Sequence, residues 1–314
     1  CMTGEGAALC DGQIVPAATA LEKVGVSAIQ VSGRDALGVV NGTAFMSAYA
    51  SIACTRANRL ITHAERITGW MYRLLGCRSQ SLDSRLHTAR GHEGQAISAT
   101  TIANEADRFG PFEDTDRPLQ EVYSIRCAPQ FLGAAREQVT HACRLIHTEI
   151  NNVNDNPIVW PGDDASEPAV LHGGNFQGQQ IAFAADAINT ALVQVAILAE
   201  RQLDTLCTPE FNSNAPLLLA ETPGRDAGFA GAQITCTALT AEIRAHGQMH
   251  ANASMPTNGR NQDVVSMGTM AARMAYGQTE RLAPILAAVG MALAQLGHLR
   301  RHERAGGTPV TAPP

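Results

Sequence analysis

Apolar residues recur at helical spacing over long stretches of this chain. From Ile181 to Leu206 they stand three, four and seven residues apart, which keeps them on one face of a helix over several turns. The stretch Leu282–Leu299 repeats this period. Three further segments, 35–75, 134–150 and 228–250, are rich in alanine, as closely packed helices are. The pattern predicts a mainly α protein.

Strand-like alternation is scarce and short, and Ser27–Val31 is its best example. No internal repeat divides the chain, so we expect one helical domain over residues 1–302 and a disordered tail over 303–314. Segments rich in Pro, Gly, Asn or Asp interrupt the helical pattern in three places, 108–119, 151–175 and 208–227.

Charge and composition narrow the classes of partner. The net charge of −6 is spread along the chain without a basic or acidic block, which argues against nucleic acid and charged membrane surfaces. No uninterrupted apolar run reaches the ~18 residues of a membrane span, so no membrane partner is expected. The only lysine is Lys23, which excludes a P-loop and leaves one candidate for Schiff-base chemistry. A small soluble substrate is the expected partner.

The eight cysteines lie far apart in the sequence, without a C-x-x-C pair and without a secretory signal ahead of them. This distribution is typical of reduced, mostly buried thiols. We therefore expect a cytoplasmic protein with free cysteines.

Polar segments between the helices carry the candidate chemistry. In QEVYSIRCAPQ, residues 120–130, the side chains of Gln120, Tyr123 and Arg126 stand three residues apart and would share one face of a helix. Arg126 could hold a carboxylate through paired hydrogen bonds, and Tyr123 could donate or accept a proton. An ordinary surface turn is the alternative, and spacing alone leaves both open.

Two more segments precede predicted helices. HGGNFQG, 172–178, opens the long helix at about Gln177. Its helix start could favour an anion, and a Gly-rich turn that merely starts a helix is the alternative. NQDVVSMG, 261–268, places Gln262 and Asp263 at the start of the last apolar helices, where Asp263 would complement the helix dipole.

A metal site is the third possibility. Glu242, His246 and His250 fall at i, i+4 and i+8 of a predicted helix, a spacing that could bind zinc through two imidazoles. The motif is HGQMH, however, and it lacks the glutamate that acts as base in HExxH. Solvated or core-edge histidines are therefore favoured, and no metal site is expected.

Eight short motifs follow one another along the chain. They are GEG (4–6), VVNGT (39–43), RGHEGQ (90–95), QEVYSIRCAPQ (120–130), EINNVNDNP (149–157), LHGGNFQG (171–178), AERQ (199–202) and NQDVVSMG (261–268). In this order the motifs resemble those of the aromatic amino acid lyase family, which comprises histidine, phenylalanine and tyrosine ammonia-lyases and 2,3-aminomutases. The match runs over about residues 1–300.

The resemblance implies an all-α fold, a long antiparallel helical bundle of the ammonia-lyase and fumarase type that forms tetramers, with each active site built from three subunits. It also implies an electrophile, 4-methylideneimidazole-5-one (MIO), made autocatalytically from an internal Ala-Ser-Gly. The substrate amine adds to it, a tyrosine removes a β-proton and ammonia leaves. Aminomutases then return the amine to the β-carbon.

Residue by residue, the resemblance gives each motif a role. Arg126 matches the arginine that binds the substrate carboxylate, and Tyr123 and Gln120 match the pair placed near the electrophile. Asn41 matches the asparagine that contacts the prosthetic group and substrate. Phe176 matches the aromatic residue that packs beside the electrophile.

Two positions bear on the substrate. Gln262 matches a position that is glutamate in most histidine lyases and glutamine in phenylalanine lyases. A phenylalanine- or tyrosine-type substrate is favoured over histidine, because imidazole gains from a carboxylate acceptor and phenyl does not. Asn258 stands where aminomutases have asparagine, so mutase activity is an alternative to ammonia release. The resemblance thus assigns Tyr123, Asn41 and Gln262 to catalysis and Arg126, Gln120, Phe176 and Asn258 to substrate binding.

Two departures from the family pattern set expectations for the whole protein. The 314 residues contain no Ala-Ser-Gly, the nearest look-alike being Val31-Ser32-Gly33, and the tyrosine that acts as base in the N-terminal part of the family is missing. We expect the electrophile and base from another chain or a missing segment, in a homo- or hetero-tetramer, and expect this chain alone to be inactive. A non-catalytic scaffold homologue and a histidine lyase are the alternatives.

Overall fold

The computed structural model of the protein describes residues 1–108, 110, 117–164 and 166–304. The chain forms two compact units. The smaller comprises Cys1–Gly42 and Val153–Phe176, and the larger comprises Thr43–Asn152 and the chain from Gln177 onward. The single domain predicted over residues 1–302 stays a prediction.

Helices make up most of the larger unit and of the described residues as a whole, which confirms the all-α fold class. The strands of the described residues form two small antiparallel pairs in the smaller unit, β1 (Ala7–Cys10) with β2 (Gln13–Pro16) and β3 (Ile158–Trp160) with β4 (Ala169–Leu171). The helices are α1 (Ala17–Lys23), α2 (Arg34–Val40), α3 (Ala44–Leu75), α4 (Ser84–Arg90), α5 (Glu93–Asp107), α6 (Tyr123–Arg126), α7 (Ala128–Ile150), α8 (Gln179–Cys207), α9 (Ala230–Ala245) and α10 (Gly268–Arg304).

The smaller unit corrects the strand prediction. Ser27–Val31 forms no strand, and its one backbone–backbone hydrogen bond within the described residues runs from Ile29 N to Met2 O at 3.0 Å. The β1–β2 hairpin turns instead through Asp11 and Gly12, which both have positive φ. Asp-Gly is a strong two-residue hairpin signal because its residues tolerate that conformation, and the alternation at 27–31 lacks a partner strand.

The larger unit is a bundle in which α3, α7, α8 and α10 form the core. Helices α3 and α7 run antiparallel, since Thr43 Oγ1 bonds Glu149 Oε1 at 2.6 Å while Arg136 Nε bonds Glu65 Oε1 at 3.0 Å. Glu65 is fully buried and also accepts from a serine on α5, so this charge is paired and hydrogen-bonded.

Helices α3, α8 and α10 begin at the same end of the bundle. Gly178, just before α8, lies against Thr43, just before α3, while Gln202 in the last third of α8 bonds Thr68 in the last third of α3. In the same way Gly268 of α10 lies against the Gly178 carbonyl. The long connections between these helices therefore let them run parallel, with α7 and α9 antiparallel to their neighbours.

The helices predicted from apolar period are present. The pattern from Ile181 belongs to α8, and Leu282–Leu299 lies inside α10. Helix α10 includes Glu303 and Arg304, and residues 305–314 of the predicted tail lie outside the described residues, as do 109 and 111–116 of the predicted break at 108–119.

Three helical segments are long and apolar enough to cross a membrane by length and composition: Arg34–Leu75, Asn175–Cys207 and Gly268–Arg301. The expectation that no apolar run is long enough is wrong by this measure, because alanine-rich helices keep a high mean hydropathy where polar residues interrupt the run. In the larger unit, α3, α8 and α10 pack their apolar faces on one another.

The expectation of eight free cysteines is also wrong. Cys54 of α3 and Cys143 of α7 form a disulfide, with their Cα atoms 6.0 Å apart. The pair is far apart in sequence and meets because the two helices pack antiparallel, within the usual Cα separation of a disulfide. The other six cysteines are free.

Candidate active site

Tyr123 and Arg126 lie at the two ends of α6, a helix of four residues. The Arg126 Cζ lies 4.8 Å from the centroid of the Tyr123 ring. Arg126 Nε donates to the Glu121 carbonyl at 2.8 Å, and its two Nη nitrogens have no hydrogen-bond partner among the described residues. Tyr123 is 66% exposed. The guanidinium is thus oriented, and its fork is open to an external carboxylate.

Gln120 does not share the helical face of these two residues. Helix α6 begins only at Tyr123, because Val122 has an extended ψ of 155° that turns the chain out of the helix. Gln120 lies in the exposed segment before it. The prediction of one face for all three is therefore wrong for Gln120.

Two side chains from other helices hold α6, and sequence reasoning assigned neither a role. Tyr72 of α3 donates its hydroxyl to the Ile125 carbonyl at 3.1 Å, and Gln202 of α8 donates Nε2 to the Ser124 carbonyl at 3.0 Å. Gln202 belongs to the AERQ motif, which was a signal that could have found it. Tyr72 carries no signal in the sequence beyond the rarity of tyrosine.

A buried ion pair lies at the entry to α6. Arg117 Nε donates to Glu121 Oε1 at 2.7 Å, and their side chains are 11% and 6% exposed. Burial, followed by the neighbouring Glu121 carboxylate, raises the pKa of the Cys77 thiol, so this cysteine stays protonated. Cys77 is therefore a packing residue and not a nucleophile.

The N-termini of α3, α8 and α10 converge. A Cβ on Gly178 or Gly268 would lie 2.6 or 2.5 Å from Met46 Sδ, so both glycines allow a close approach. None of the three helices has an acidic residue in its first turn. The Ser47 hydroxyl nearby is buried and has no hydrogen-bond partner among the residues that the structure describes. Three positive helix ends at one place favour negative charge.

Asn41 and Phe176 belong to the smaller unit, in the segments that lead into α3 and α8. Asn41 ends α2, with its N–H bonded to the Leu37 carbonyl at 2.8 Å. Gly42 follows with φ 107° and lies against Asn154, and the Gly173 N–H donates to Asn156 Oδ1 at 2.6 Å. The VVNGT and GGNF motifs therefore both contact the NDNP segment.

Asn258 and Gln262 lie in one tight loop ahead of α10. The backbones of Thr257 and Gln262 form an antiparallel bridge, and Thr257 Oγ1 donates to Gln262 Oε1 at 3.1 Å. Asn258 has φ 52°, as the turn requires. The loop is exposed, and Gln262 keeps its amide nitrogen as a donor. The structure brings these two predicted residues together.

The structure places α6 at the opposite end of the bundle from the converging N-termini. Tyr72, which holds α6, lies near the C-terminal end of α3, and Ala44 is the first residue of that helix. At about 1.5 Å per residue the two are about 42 Å apart. One chain therefore does not bring Arg126 and Tyr123 to the end where α3, α8 and α10 begin.

Two predictions about helix bounds are wrong. Helix α9 ends at Ala245 and does not reach residue 250, so His246 caps it and His250 lies in a separate turn, where its N–H bonds Asp186 Oδ1 at 3.1 Å. Asp263 is not a first-turn acid, because α10 begins only at Gly268. The described residues contain no group of three His, Cys, Asp or Glu side chains that could hold a metal ion.

Fold and site together define a helical bundle of the ammonia-lyase and aminomutase type. The tyrosine aminomutase structure from Streptomyces globisporus has a TM-score of 0.82 at 33% identity, covering 95% of this chain and 60% of that one. The histidine ammonia-lyase structure from Trypanosoma cruzi has a TM-score of 0.83 at 29% identity, covering 96% of this chain and 56% of that one.

The chain belongs to the aromatic amino acid lyase family, whose model matches residues 1–312. A tyrosine ammonia-lyase from Cereibacter sphaeroides is 38% identical over 96% of this chain and 60% of its own length. A histidine ammonia-lyase from Treponema denticola is 32% identical over 97% of this chain and 59% of its own length. The chain thus spans about 60% of the length of these curated relatives.

The end of the bundle where α3, α8 and α10 begin fits an electrophilic group. A relative from Streptomyces globisporus, 35% identical over 94% of this chain and 58% of its own length, is an MIO-dependent tyrosine 2,3-aminomutase. A group of that kind gains negative charge when it accepts an amine, and the helix ends stabilise negative charge there. The unpartnered Ser47 hydroxyl could donate a hydrogen bond to it. The residues present are therefore compatible with this prosthetic group.

Proposed function

We propose that this chain forms part of an ammonia-lyase or 2,3-aminomutase acting on tyrosine- or phenylalanine-type substrates. One observation carries the proposal: the Arg126 guanidinium is oriented by the Glu121 carbonyl, has an open fork and lies beside the exposed Tyr123 phenol. An open arginine fork next to a phenol suits the carboxylate and the proton transfer of an amino acid elimination.

In this proposal Arg126 binds the substrate carboxylate through paired hydrogen bonds, and Tyr123 donates or accepts a proton near the α-amino group. Gln120 contributes from the exposed segment next to them. Asn41 and Phe176 act from the segments that lead into α3 and α8. When bound, MIO supplies the electrophile that takes the amine.

The substrate preference rests on the loop ahead of α10. Gln262 offers an amide where a carboxylate would favour imidazole, so an aryl ring is preferred to histidine. Asn258 in the same loop supports return of the amine to the β-carbon, which would make the enzyme an aminomutase. Relatives of both kinds, a tyrosine ammonia-lyase and a tyrosine 2,3-aminomutase, support this choice.

We further propose that the electrophile and the base come from outside these 314 residues and that the site forms between chains. The absence of Ala-Ser-Gly supports an electrophile from outside these residues. The distance of about 42 Å along α3, between α6 and the converging helix N-termini, supports a site that forms between chains. A homo- or hetero-tetramer in the cytoplasm is the assembly proposed.

The test is to purify this chain alone and together with a segment that supplies Ala-Ser-Gly, and to incubate each with tyrosine, phenylalanine and histidine. The proposal predicts a cinnamate-type acid or a β-amino acid from tyrosine or phenylalanine in the combined sample. Arg126→Ala should lower kcat/KM by about a hundredfold, because a charge-assisted carboxylate pair is lost.

Arg85→Ala is the matched control. Arg85 is exposed and pairs with Asp83 near α4, so its loss should leave the rate unchanged. A combined sample that is inert toward all three amino acids would overturn the proposal and favour a non-catalytic scaffold.

Histidine lyase activity is the second candidate. It is favoured by histidine ammonia-lyases among the relatives, such as the one from Gloeobacter violaceus, which is 33% identical over 95% of this chain and 58% of its own length. The same incubation distinguishes it, since urocanate forms only from histidine.

A further inference from the structure

Helix α6 is too short to hold its own conformation. Four residues make a single turn. An isolated turn is unstable because the conformational entropy lost in forming it exceeds the stabilisation from its few hydrogen bonds. Its last carbonyls, those of Ser124 and Ile125, need partners from outside the helix. The conformation of Tyr123 and Arg126 therefore depends on what binds these carbonyls.

Pro129 explains why Ile125 needs a side-chain donor. In a continuous helix the Ile125 carbonyl would accept from the N–H of residue 129, and proline has none. Proline suits this position as the start of α7, but it leaves the Ile125 carbonyl without a helical donor. The Tyr72 hydroxyl replaces that donor at 3.1 Å.

Tyr72 is built to remain a donor. Its side chain is fully buried, and Ser81 Oγ lies 2.7 Å from its hydroxyl oxygen. Burial, the largest cause, raises the pKa of Tyr72 well above its ordinary value, so the phenol stays protonated.

Gln202 provides the second contact. Its amide is 1% exposed, and Nε2 donates both to the Ser124 carbonyl and to Thr68 Oγ1, each at 3.0 Å. The Thr68 hydroxyl in turn donates to the Ala64 carbonyl at 2.7 Å, so it can accept the hydrogen bond from Gln202. Two rigid helices, α3 and α8, thus fix the two carbonyls of α6 that face them.

We infer that Tyr72 and Gln202 are positioning residues for the reaction. They hold α6 so that the Arg126 guanidinium and the Tyr123 phenol keep the relative position in which one binds the substrate carboxylate and the other exchanges a proton. The inference rests on the proposed function for its catalytic consequence, and on contacts within α3, α6 and α8 for its structural part. Neither residue touches the substrate.

The experiment uses the enzyme assembled with the segment that supplies Ala-Ser-Gly, as wild type, Tyr72→Phe and Gln202→Met. Hydrogen exchange of the peptide amides of residues 123–127 measures how firmly α6 is held. Steady-state rates with tyrosine measure the catalytic consequence. Each variant removes a side-chain hydrogen bond to a carbonyl of α6, so α6 exchange should rise about tenfold and KM should rise at least about fivefold.

Gln278→Met is the matched control. Gln278 is also a buried glutamine, on α10, and its Nε2 donates to Asn189 Oδ1 and to the Ile243 carbonyl, each at 2.8 Å, so it serves α8 and α9 and not α6. It should leave α6 exchange and KM at wild-type values. Tyr72→Phe removes one hydroxyl and Gln202→Met removes one amide, so if one of these variants fails to fold, the other still tests the inference.

Unchanged α6 exchange in a folded Tyr72→Phe or Gln202→Met enzyme would overturn the inference. Faster exchange with wild-type kcat and KM would also overturn it, because the two side chains would then only stabilise the fold. If the wild type turns over no amino acid, the proposed function fails, and unchanged or faster α6 exchange still decides whether these residues hold α6.

Discussion

In the proposed function, Gln262 selects the substrate. Thr257 Oγ1 donates to its side-chain oxygen at 3.1 Å, so the amide presents its nitrogen as a donor and carries no charge. An imidazole ring needs an acceptor for its N–H, so this uncharged donor would stabilise bound imidazole less than a carboxylate would. Under this proposal the choice between ring types is set at this position.

Gln262→Glu should shift the ratio of kcat/KM for histidine over tyrosine upward by about tenfold, the effect of one hydrogen bond to a charged group. Competition between the two amino acids in one assay measures this ratio. Asn261→Asp adds the same charge one residue away and should leave it unchanged. If the ratio of kcat/KM for histidine over tyrosine were the same in wild type and in Gln262→Glu, Gln262 would not determine ring specificity.

Glu105 is a residue whose ionisation stabilises the bundle. Burial alone would raise the pKa of its carboxyl, but hydrogen bonds from Trp70 Nε1 at 2.8 Å and from Arg108 outweigh burial and lower the pKa below its ordinary value. A carboxyl with a lowered folded-state pKa stabilises the protein above its unfolded pKa, and this contribution is lost as the pH falls through the folded value.

Trp70→Phe should therefore destabilise the protein more at pH 7 than at pH 3. At pH 7 it removes a hydrogen bond to a charged group, about 1.5–3 kcal/mol, and this difference shrinks as the pH falls and Glu105 becomes protonated. Urea unfolding of both proteins at both pH values measures it, and the packing loss cancels in the comparison. A pH-independent difference would contradict the assignment.

At the scale of elements, long apolar periods predicted the helices correctly, but the sequence near the helix ends did not predict where the helices stop. The repeat from Ile181 is sustained over enough turns to identify α8. His246 and His250 kept a helical spacing in sequence, yet α9 stops at Ala245 because His250 binds Asp186 of α8. Such a tertiary contact leaves no periodic signal, and neither do the contacts that fix α6.

The crossing of α5 and α7 depends on two glycines. A Cβ on Gly133 would overlap the backbone of Gln95, and one on Gly94 would lie 2.5 Å from the Gly133 carbonyl. Gly133→Ala should destabilise the protein by about 1–3 kcal/mol, the usual cost of overpacking. Chemical denaturation measures it.

Gly290→Ala is the control for that change. It lies inside α10 with no atom within 4 Å of its added Cβ, so alanine should stabilise the protein by about 0.5–1 kcal/mol through helix propensity. If Gly133→Ala and Gly290→Ala changed the free energy of unfolding in the same direction, close packing at the α5–α7 crossing would not explain why residue 133 is glycine.

At the scale of the whole molecule, the motifs fall into two groups. Arg126 and Tyr123 lie with α6 where α3 ends, and Gln262 lies in the loop that leads to α10, which begins beside α3 and α8. The order of motifs in the sequence identified the family and most candidate residues. It could not reveal this division, because the ends of a helix are separated by its length and only the structure shows which end each motif adjoins.

A complementation assay tests the central claim most directly. Arg126→Ala and Gln262→Ala chains are each assembled with the segment that supplies Ala-Ser-Gly, separately and after unfolding and refolding together, and ammonia or acid release from tyrosine is measured. If each site takes Arg126 and Gln262 from different chains, the separate variants show only their reduced rates and the mixture gains sites with the wild-type rate. Arg126→Ala mixed with the Arg126→Ala, Gln262→Ala double variant should keep the reduced rate. A mixture no more active than its parents, beside an active refolded wild type, would contradict the account.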